Sequence, residues 1–182
     1  MIHLPEPRRE GFTLMELIIV MAILSILAVI ITNTFSISLK RGRDSRRKDD
    51  LHSLAAALEA YYSDHTDSSG RNVYPIGISG VMHDYNNQST TYGWGGAFKD
   101  ANGTLYMVQI PQDPLQTQKY YYVSNGLSYA VYAKLENPFD EGDGVNQSGY
   151  TNATGTNCGN NGNVLCTYGI SSSNTTPAAM AP

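Results

Sequence analysis

Residues 12–31 form an apolar run of twenty residues with only three polar side chains, those of Thr13, Glu16 and Ser25. A helix that rises about 1.5 Å per residue would be roughly 30 Å long over this run, which is the thickness of a bilayer's hydrocarbon core. Arg8 and Arg9 precede the run, as expected for a cytoplasmic flank. The sequence therefore predicts a transmembrane helix at residues 12–31.

Glu16 is the unexpected residue of this run. A carboxylate at the centre of a membrane span costs about 2.5–3.5 kcal/mol, so its presence there indicates a function. If the chain is cut after Gly11, the new amine of Phe12 has a pKa of about 7.7–8.0 and is mostly cationic at neutral pH. A second copy, staggered along the first, could place its amine against the Glu16 carboxylate. Neither charge would then be buried without a partner.

The segment Gly11-Phe12-Thr13-Leu14-Met15-Glu16, followed by an apolar run, resembles the class III signal and N-terminal helix of type IV pilins and pseudopilins. The resemblance implies that a prepilin peptidase removes residues 1–11 as a leader, cutting between Gly11 and Phe12, and methylates the amine of Phe12. It also implies that Glu16 serves in filament assembly. An ordinary secretory signal would have a shorter apolar core with the cut after it. A plain single-span anchor would explain the length of the run but not Glu16.

Helical periodicity continues beyond the apolar run and predicts a helix over residues 12–65. An apolar stripe appears in its outer part, formed by Leu51, Leu54, Ala55, Leu58, Tyr61 and Tyr62. The polar cluster between Ser63 and Ser69 is expected to end the helix. Residues 66–112 are predicted to be a loop-rich connector.

A basic cluster precedes the apolar stripe and consists of Lys40, Arg41, Arg43, Arg46, Arg47 and Lys48. In an unbroken helix much of this cluster would share a face with the stripe. We therefore expect either a helix interruption between residues 32 and 42 or a head that docks only beyond about Asp50. Asp44–Lys48 and Arg46–Asp50 are candidate ion pairs, which leaves Arg43 and Arg47 for lipid headgroups or neighbouring subunits. DNA is a weaker candidate partner, because no aromatic platform accompanies the cluster.

Residues 113–140 are predicted to form an antiparallel sheet. Ser124-Asn125-Gly126 separates two tyrosine-rich segments, and Asn-Gly between β-forming residues is a strong hairpin signal. Leu127, Tyr129, Val131, Ala133 and Leu135 alternate and should share one face, which would pack on the helical stripe. Residues 110–137 also resemble, more loosely, the heads of major pseudopilins and pilins. The predicted fold is α+β: a long N-terminal helix, first transmembrane and then amphipathic, on a small antiparallel sheet.

Residues 141–182 are rich in Gly, Asn, Ser and Thr, and resemble no known domain. They contain the only cysteines, Cys158 and Cys166, which flank a Gly/Asn-rich loop and are predicted to form a disulfide, with free thiols as the alternative. The acidic turn with Asp140, Glu141 and Asp143 is a candidate calcium site or simply a solvated turn. No other cofactor is expected.

The chain has 182 residues and a formal net charge of −4, which suggests one modest domain plus an anchor. It shows no nucleophile–base pair, metal cluster or phosphate loop, so we do not expect an enzyme. The resemblance implies a structural subunit of a type IV pilus that is made as a single-pass precursor in the cytoplasmic membrane. Its expected partners are membrane lipid, the prepilin peptidase, the assembly platform and other copies of itself in an extracellular filament. The alternatives are a type II secretion pseudopilin and a membrane-anchored exported binding module that never polymerises.

Overall fold

A computed structural model describes residues 11–150, 157–160 and 164–180 of the chain. The predicted leader, apart from Gly11, lies outside these residues, as do Arg8 and Arg9. The chain divides into two compact units, one ending at Leu39 and one beginning at Lys40.

The first element is helix α1, which spans Leu14–Asp64. It ends within one residue of the predicted boundary, because Asp67 accepts hydrogen bonds from the backbone N–H groups of Ser69 and Arg71 and so forms a tight turn. The interruption expected between residues 32 and 42 is wrong, since these residues are helical. Within the described ranges, no helix is both apolar and long enough to cross a membrane. The transmembrane role predicted for residues 12–31 is therefore not confirmed.

The second unit contains three small antiparallel sheets. Strands β1 (Ile76–Ile78), β2 (Val81–His83) and β3 (Thr91–Tyr92) form one sheet, and β4 (Phe98–Lys99) pairs with β5 (Leu105–Met107). The third sheet has the order β6 (Tyr121–Ser124), β7 (Tyr129–Ala133) and β8 (Tyr168–Ser171). A short helix, α2, follows at Pro177–Met180. The region predicted as a loop-rich connector thus holds five of the eight strands found in the described residues, and each of the five is only two or three residues long.

The predicted packing of the helix on the sheet is confirmed. Leu51, Leu54, Leu58 and Tyr61 of α1 are completely buried in one cluster with Tyr129, Val131, Ala133 and Leu135. Burying a leucine side chain stabilises a fold by about 1.5–3 kcal/mol, so this seam is a major source of stability. The α+β, pilin-like fold class is confirmed as well.

The hairpin between β6 and β7 is confirmed, but its turn is longer than predicted. Ser124 pairs with Tyr129, so that Leu127 lies in the turn and is 42% exposed instead of facing the core. The other face of β7 is also buried, which the alternation did not predict. Ala130 and Tyr132 pack there with Tyr150 and both cysteines of the C-terminal region.

Candidate functional site

The predicted processing junction lies at the exposed start of the first unit. Gly11 and Phe12 precede the helix, and the Phe12 side chain is 91% exposed. An added methyl group on Gly11 would meet no atom within 4 Å. The backbone at Gly11 and Phe12 is therefore exposed and uncrowded.

Thr13 and Glu16 begin helix α1 as a capping box. Glu16 Oε2 accepts hydrogen bonds from the backbone N–H and from the hydroxyl of Thr13, each at 2.9 Å. In return, Thr13 Oγ1 accepts a hydrogen bond from the Glu16 backbone N–H at 3.2 Å. This reciprocal arrangement satisfies backbone donors that a helix start leaves unpaired, and it places a negative charge at the positive end of the helix dipole. It holds the Glu16 carboxylate one turn from Phe12.

Phe12 and the large apolar side chains of α1 between Leu14 and Val29 are exposed on all sides of the helix. Their exposure in the isolated chain ranges from 47% to 91%. A helix that is apolar all round requires an apolar environment, either lipid or other protein.

The basic cluster of the second unit is not the free cationic surface that the sequence suggested. Arg47 is completely buried and binds three carboxylates. Its Nε and Nη2 donate to the two oxygens of Asp113 at 2.7 and 2.9 Å. Its Nη1 donates to Asp44 Oδ1 and Glu136 Oε1, each at 2.8 Å. The expectation that Arg47 remains for lipid or neighbouring subunits is wrong.

Arg43 extends this network, since its Nε and Nη2 donate to Glu136 at 2.7 and 2.6 Å. Asp44, whose predicted partner was Lys48, instead accepts hydrogen bonds from the backbone N–H groups of Glu136 and Asn137. We call Arg43, Asp44, Arg47, Asp113 and Glu136 the ion-pair network. It attaches α1 to the loops that flank β6 and β7, so the expectation that the head docks only beyond Asp50 is also wrong.

The electrostatics of the network favour its charged form. Hydrogen bonds from Arg43, and then from Arg47, outweigh burial and lower the pKa of Glu136 to about 2. Burial alone would lower the pKa of Arg47, but hydrogen bonds to Asp113 and Glu136 outweigh it and raise that pKa. Both groups therefore stay charged throughout the physiological pH range.

Three other cations of the basic cluster, Lys40, Arg41 and Arg46, are exposed. Arg46 lies 3.9 Å from Asp50, as the i,i+4 spacing predicted. These three residues are the exposed remainder of the basic cluster, and DNA binding stays a prediction.

The acidic turn gives no support to a calcium site. Both carboxylate oxygens of Asp140 are bound by Lys48 Nζ, at 2.9 and 2.8 Å. In the part of the chain that the structure describes, no three His, Cys, Asp or Glu side chains are grouped to hold a metal ion. Asp140 thus acts as an anchor for α1, whereas Glu141 and Asp143 lie in a turn of the kind predicted as the alternative.

The predicted disulfide between Cys158 and Cys166 is confirmed. Both cysteines are completely buried beneath the second face of the sheet. Backbone bonds join the same loop to the start of β6, since Lys119 N–H donates to the Cys158 carbonyl at 2.8 Å. The disulfide therefore closes a loop within the C-terminal region, and the burial of both cysteines together with this backbone bond attaches the loop to the head.

Comparisons with known proteins agree with this arrangement. Residues 7–32 match the family described as the prokaryotic N-terminal methylation motif. The type IV major pilin protein PilA of Myxococcus xanthus (strain DK1622) is 41% identical over 59 residues. That match covers 32% of this chain and 27% of the relative, so the chain spans about a quarter of the curated relative it matches. No solved structure matches the chain.

The capped apolar helix and the head of small antiparallel sheets define a pilin-like α+β protein. Residues 7–32 carry the prokaryotic N-terminal methylation motif, and with the pilin relative this motif supports the resemblance of the chain to type IV pilins.

Proposed function

We propose that this protein is a structural subunit of a type IV pilus. The observation that carries the proposal is the apolar surface all round α1 between Leu14 and Val29, which follows the exposed Phe12 and a capped helix start. Such a surface is stable in the lipid of the cytoplasmic membrane before assembly. It is equally stable among the same helices of other copies in an extracellular filament.

The chemistry of the terminus supports a defined order of steps. A prepilin peptidase cuts between Gly11 and Phe12, and methylation keeps the new amine basic. Lipid tails are as apolar as leucine, so moving α1 from lipid to filament brings little hydrophobic gain. Specific polar contacts must therefore direct assembly, and the Glu16 carboxylate can accept a hydrogen bond from the Phe12 amine of an adjacent copy. Both hydrogen bonds that the Glu16 carboxylate accepts from the described residues end on its Oε2 atom.

The decisive experiment compares Glu16→Ala with Ser25→Ala in cells, using electron microscopy of sheared surface material and immunoblots of the membrane fraction. Ser25 is the matched control, because it is also an exposed polar residue of the apolar run and bonds only the Met21 carbonyl among the described residues. We expect Glu16→Ala to abolish filaments while cleaved monomer accumulates in the membrane, and Ser25→Ala to leave filaments intact. Normal filaments in Glu16→Ala would contradict the proposal and favour a non-polymerising anchored module.

A second measurement isolates the processing step. Mass spectrometry of the mature protein should find a chain that starts at N-methylated Phe12. A mature chain that begins at any other residue would refute cleavage between Gly11 and Phe12. Filaments too short to be sheared from the cell surface would instead favour the type II secretion pseudopilin.

A further inference from the structure

The sequence contains three Asn-Gly pairs, which are Asn102-Gly103, Asn125-Gly126 and Asn161-Gly162. In such a pair the backbone nitrogen of the glycine can attack the side-chain amide of the asparagine, because glycine has no Cβ that obstructs the approach. The attack needs an asparagine side chain that is free to rotate, so the fold decides which pair reacts. Asn161-Gly162 lies outside the described residues, and the other two pairs differ in their surroundings.

Asn102-Gly103 lies in the exposed turn between β4 and β5. Gly103 N–H donates to the Asp100 carbonyl at 3.2 Å, and Gly103 has a φ of +97°, as in a short hairpin that combines a type I turn with a glycine bulge. The side chain that holds this turn is that of Asp100, whose Oδ1 accepts from Thr104 N–H at 2.7 Å. Among the hydrogen bonds of the described residues, none involves the Asn102 side-chain amide. The Asn102 carboxamide is therefore free to rotate toward the Gly103 nitrogen.

Asn125-Gly126 is held in place by its neighbours in the turn between β6 and β7. Asn125 Oδ1 accepts from the N–H groups of Leu127 and Ser128, each at 2.9 Å, and from the Ser128 hydroxyl at 3.2 Å. The attacking nitrogen is also engaged, since Gly126 N–H donates to Ser124 Oγ at 2.9 Å. Rotation of the carboxamide toward this nitrogen would break all of these bonds, so the fold protects Asn125.

A lysine lies against the reactive turn. Lys99 Cε is 3.7 Å from the position that a Cβ on Gly103 would occupy. A cation near this backbone stabilises the negative charge that develops on the attacking nitrogen and on the carboxamide oxygen. The Asp100 carboxylate would oppose this effect, but it faces Thr104 N–H and the His65 ring, which lies 3.6 Å away.

We propose that Asn102 is a site of spontaneous deamidation. The Gly103 nitrogen forms a bond to Cγ of Asn102, the Cγ–Nδ2 bond breaks, and ammonia leaves with the proton of the Gly103 N–H. Water then opens the cyclic imide at either of its carbonyl groups, which leaves aspartate or isoaspartate at this position. Water is the only co-reactant, and both residues are exposed to it.

The modification changes the surface and the backbone of the hairpin. It replaces a neutral amide by a carboxylate beside Lys99, so the head becomes more negative as the protein ages. Isoaspartate also lengthens the backbone of the turn that Asp100 holds. This turn joins β4 to β5, whose Tyr106 packs on Tyr61 of α1 with ring centroids 5.5 Å apart. The reaction requires neither processing nor polymerisation, so its failure would leave the filament proposal untouched.

Peptide mapping after incubation of the full chain in detergent at neutral pH tests the proposal. Trypsin cuts after Lys99, Lys119 and Lys134, so each Asn-Gly pair lies in a different peptide, and the first two peptides contain one asparagine each. Mass spectrometry with a fragmentation that distinguishes isoaspartate measures the rates, and a sample taken at the start corrects for deamidation during digestion. We expect Asn102 to react at least about tenfold faster than Asn125. If Asn125 reacts as fast as Asn102, the proposal is overturned.

The same measurement in guanidinium chloride separates the effect of the fold from that of the local sequence. Unfolding removes the hydrogen bonds of Asn125, so both pairs should then react at similar rates. A tenfold difference that persists in the unfolded chain would contradict the structural assignment. Asn102→Gln is the control for the site, because glutamine would have to close a larger ring. The corresponding peptide should then stay unmodified over the same period, and an unchanged rate of deamidation in it would also contradict the proposal.

Discussion

Arg47 of helix α1 and Asp113 of the loop before β6 bind each other through two parallel hydrogen bonds, of 2.7 and 2.9 Å. Neither side chain is exposed. Because the guanidinium and the carboxylate are both planar, the two parallel hydrogen bonds fix the distance between the groups and also the angle between their planes. Only arginine can make such a contact with a carboxylate. The charged part of α1 is therefore held against the head in a defined geometry.

Arg47→Ala should destabilise the head by about 3–5 kcal/mol, because it leaves the buried carboxylates of Asp113 and Asp44 without their cation. Urea unfolding of the full chain in detergent, followed by Trp94 fluorescence, measures the change. Arg46→Ala is the matched control, since Arg46 is 67% exposed and 3.9 Å from Asp50. Its effect should stay within about 0.5 kcal/mol. Equal losses in the two variants would show that Arg47 contributes no more than a surface charge.

Glu136 should make the stability of the head depend on pH. Its pKa in the folded protein is about 2, below its ordinary value, so folding favours the ionised form. The resulting stability is fully present above the unfolded pKa of about 4.3, and it is lost as the pH falls toward 2. We expect a loss on the order of 1–3 kcal/mol across that window, measured as urea midpoints at pH 6, 4 and 2.5.

Glu136→Gln separates this residue from the other carboxylates. The variant should be less stable than the native chain at pH 6, where it lacks the charge that Arg43 and Arg47 bind. The difference between the two proteins should shrink as the pH falls toward 2. A difference that stays constant from pH 6 to 2.5 would argue against a lowered pKa of Glu136.

Sequence periodicity predicted the apolar contacts between helix and sheet but not the ionic ones. Leu51, Leu54 and Leu58 recur at helical spacing, and alternation along β7 marks Tyr129 and Val131, so each element reveals its own buried face. Arg47 has no comparable signal, because its partner Asp113 is 66 residues away and lies in a loop. A cation on the same face as an apolar stripe suggests an obstacle to packing of the head on α1. Arg47 instead lies inside the contact between α1 and the head.

The strand and the packing of the C-terminal region could not be predicted from the sequence for a related reason. Its residues show neither helical nor alternating periodicity, yet Tyr168–Ser171 completes the third sheet as β8. Tyr150 and the two cysteines then cover the face of β7 that carries Ala130 and Tyr132. The only sequence signal for this contact is the cysteine pair. The segment Thr13-Leu14-Met15-Glu16 has the spacing of a capping box, which gives Glu16 a second role besides the one predicted in assembly.

Replacing both Cys158 and Cys166 by serine should destabilise the head by about 2–3 kcal/mol. The disulfide closes a loop between residues eight positions apart, and the chain-entropy relation gives about 2.5 kcal/mol for a loop of that size. Urea unfolding of the full chain in detergent measures the change. Unchanged stability would show that backbone bonds alone hold the C-terminal region.

Gly126 and Gly42 should respond in opposite directions to substitution by alanine. Gly126 has a φ of +87°, and an added Cβ would lie 2.2 Å from the ring of Tyr85, so Gly126→Ala should cost on the order of 1–3 kcal/mol. Gly42 lies on the exposed side of α1, with nothing within 4 Å of an added Cβ. Gly42→Ala should therefore stabilise the helix by up to about 1 kcal/mol. Thermal unfolding monitored by circular dichroism distinguishes the two shifts, and a destabilising Gly42→Ala would mean that α1 requires flexibility at that residue.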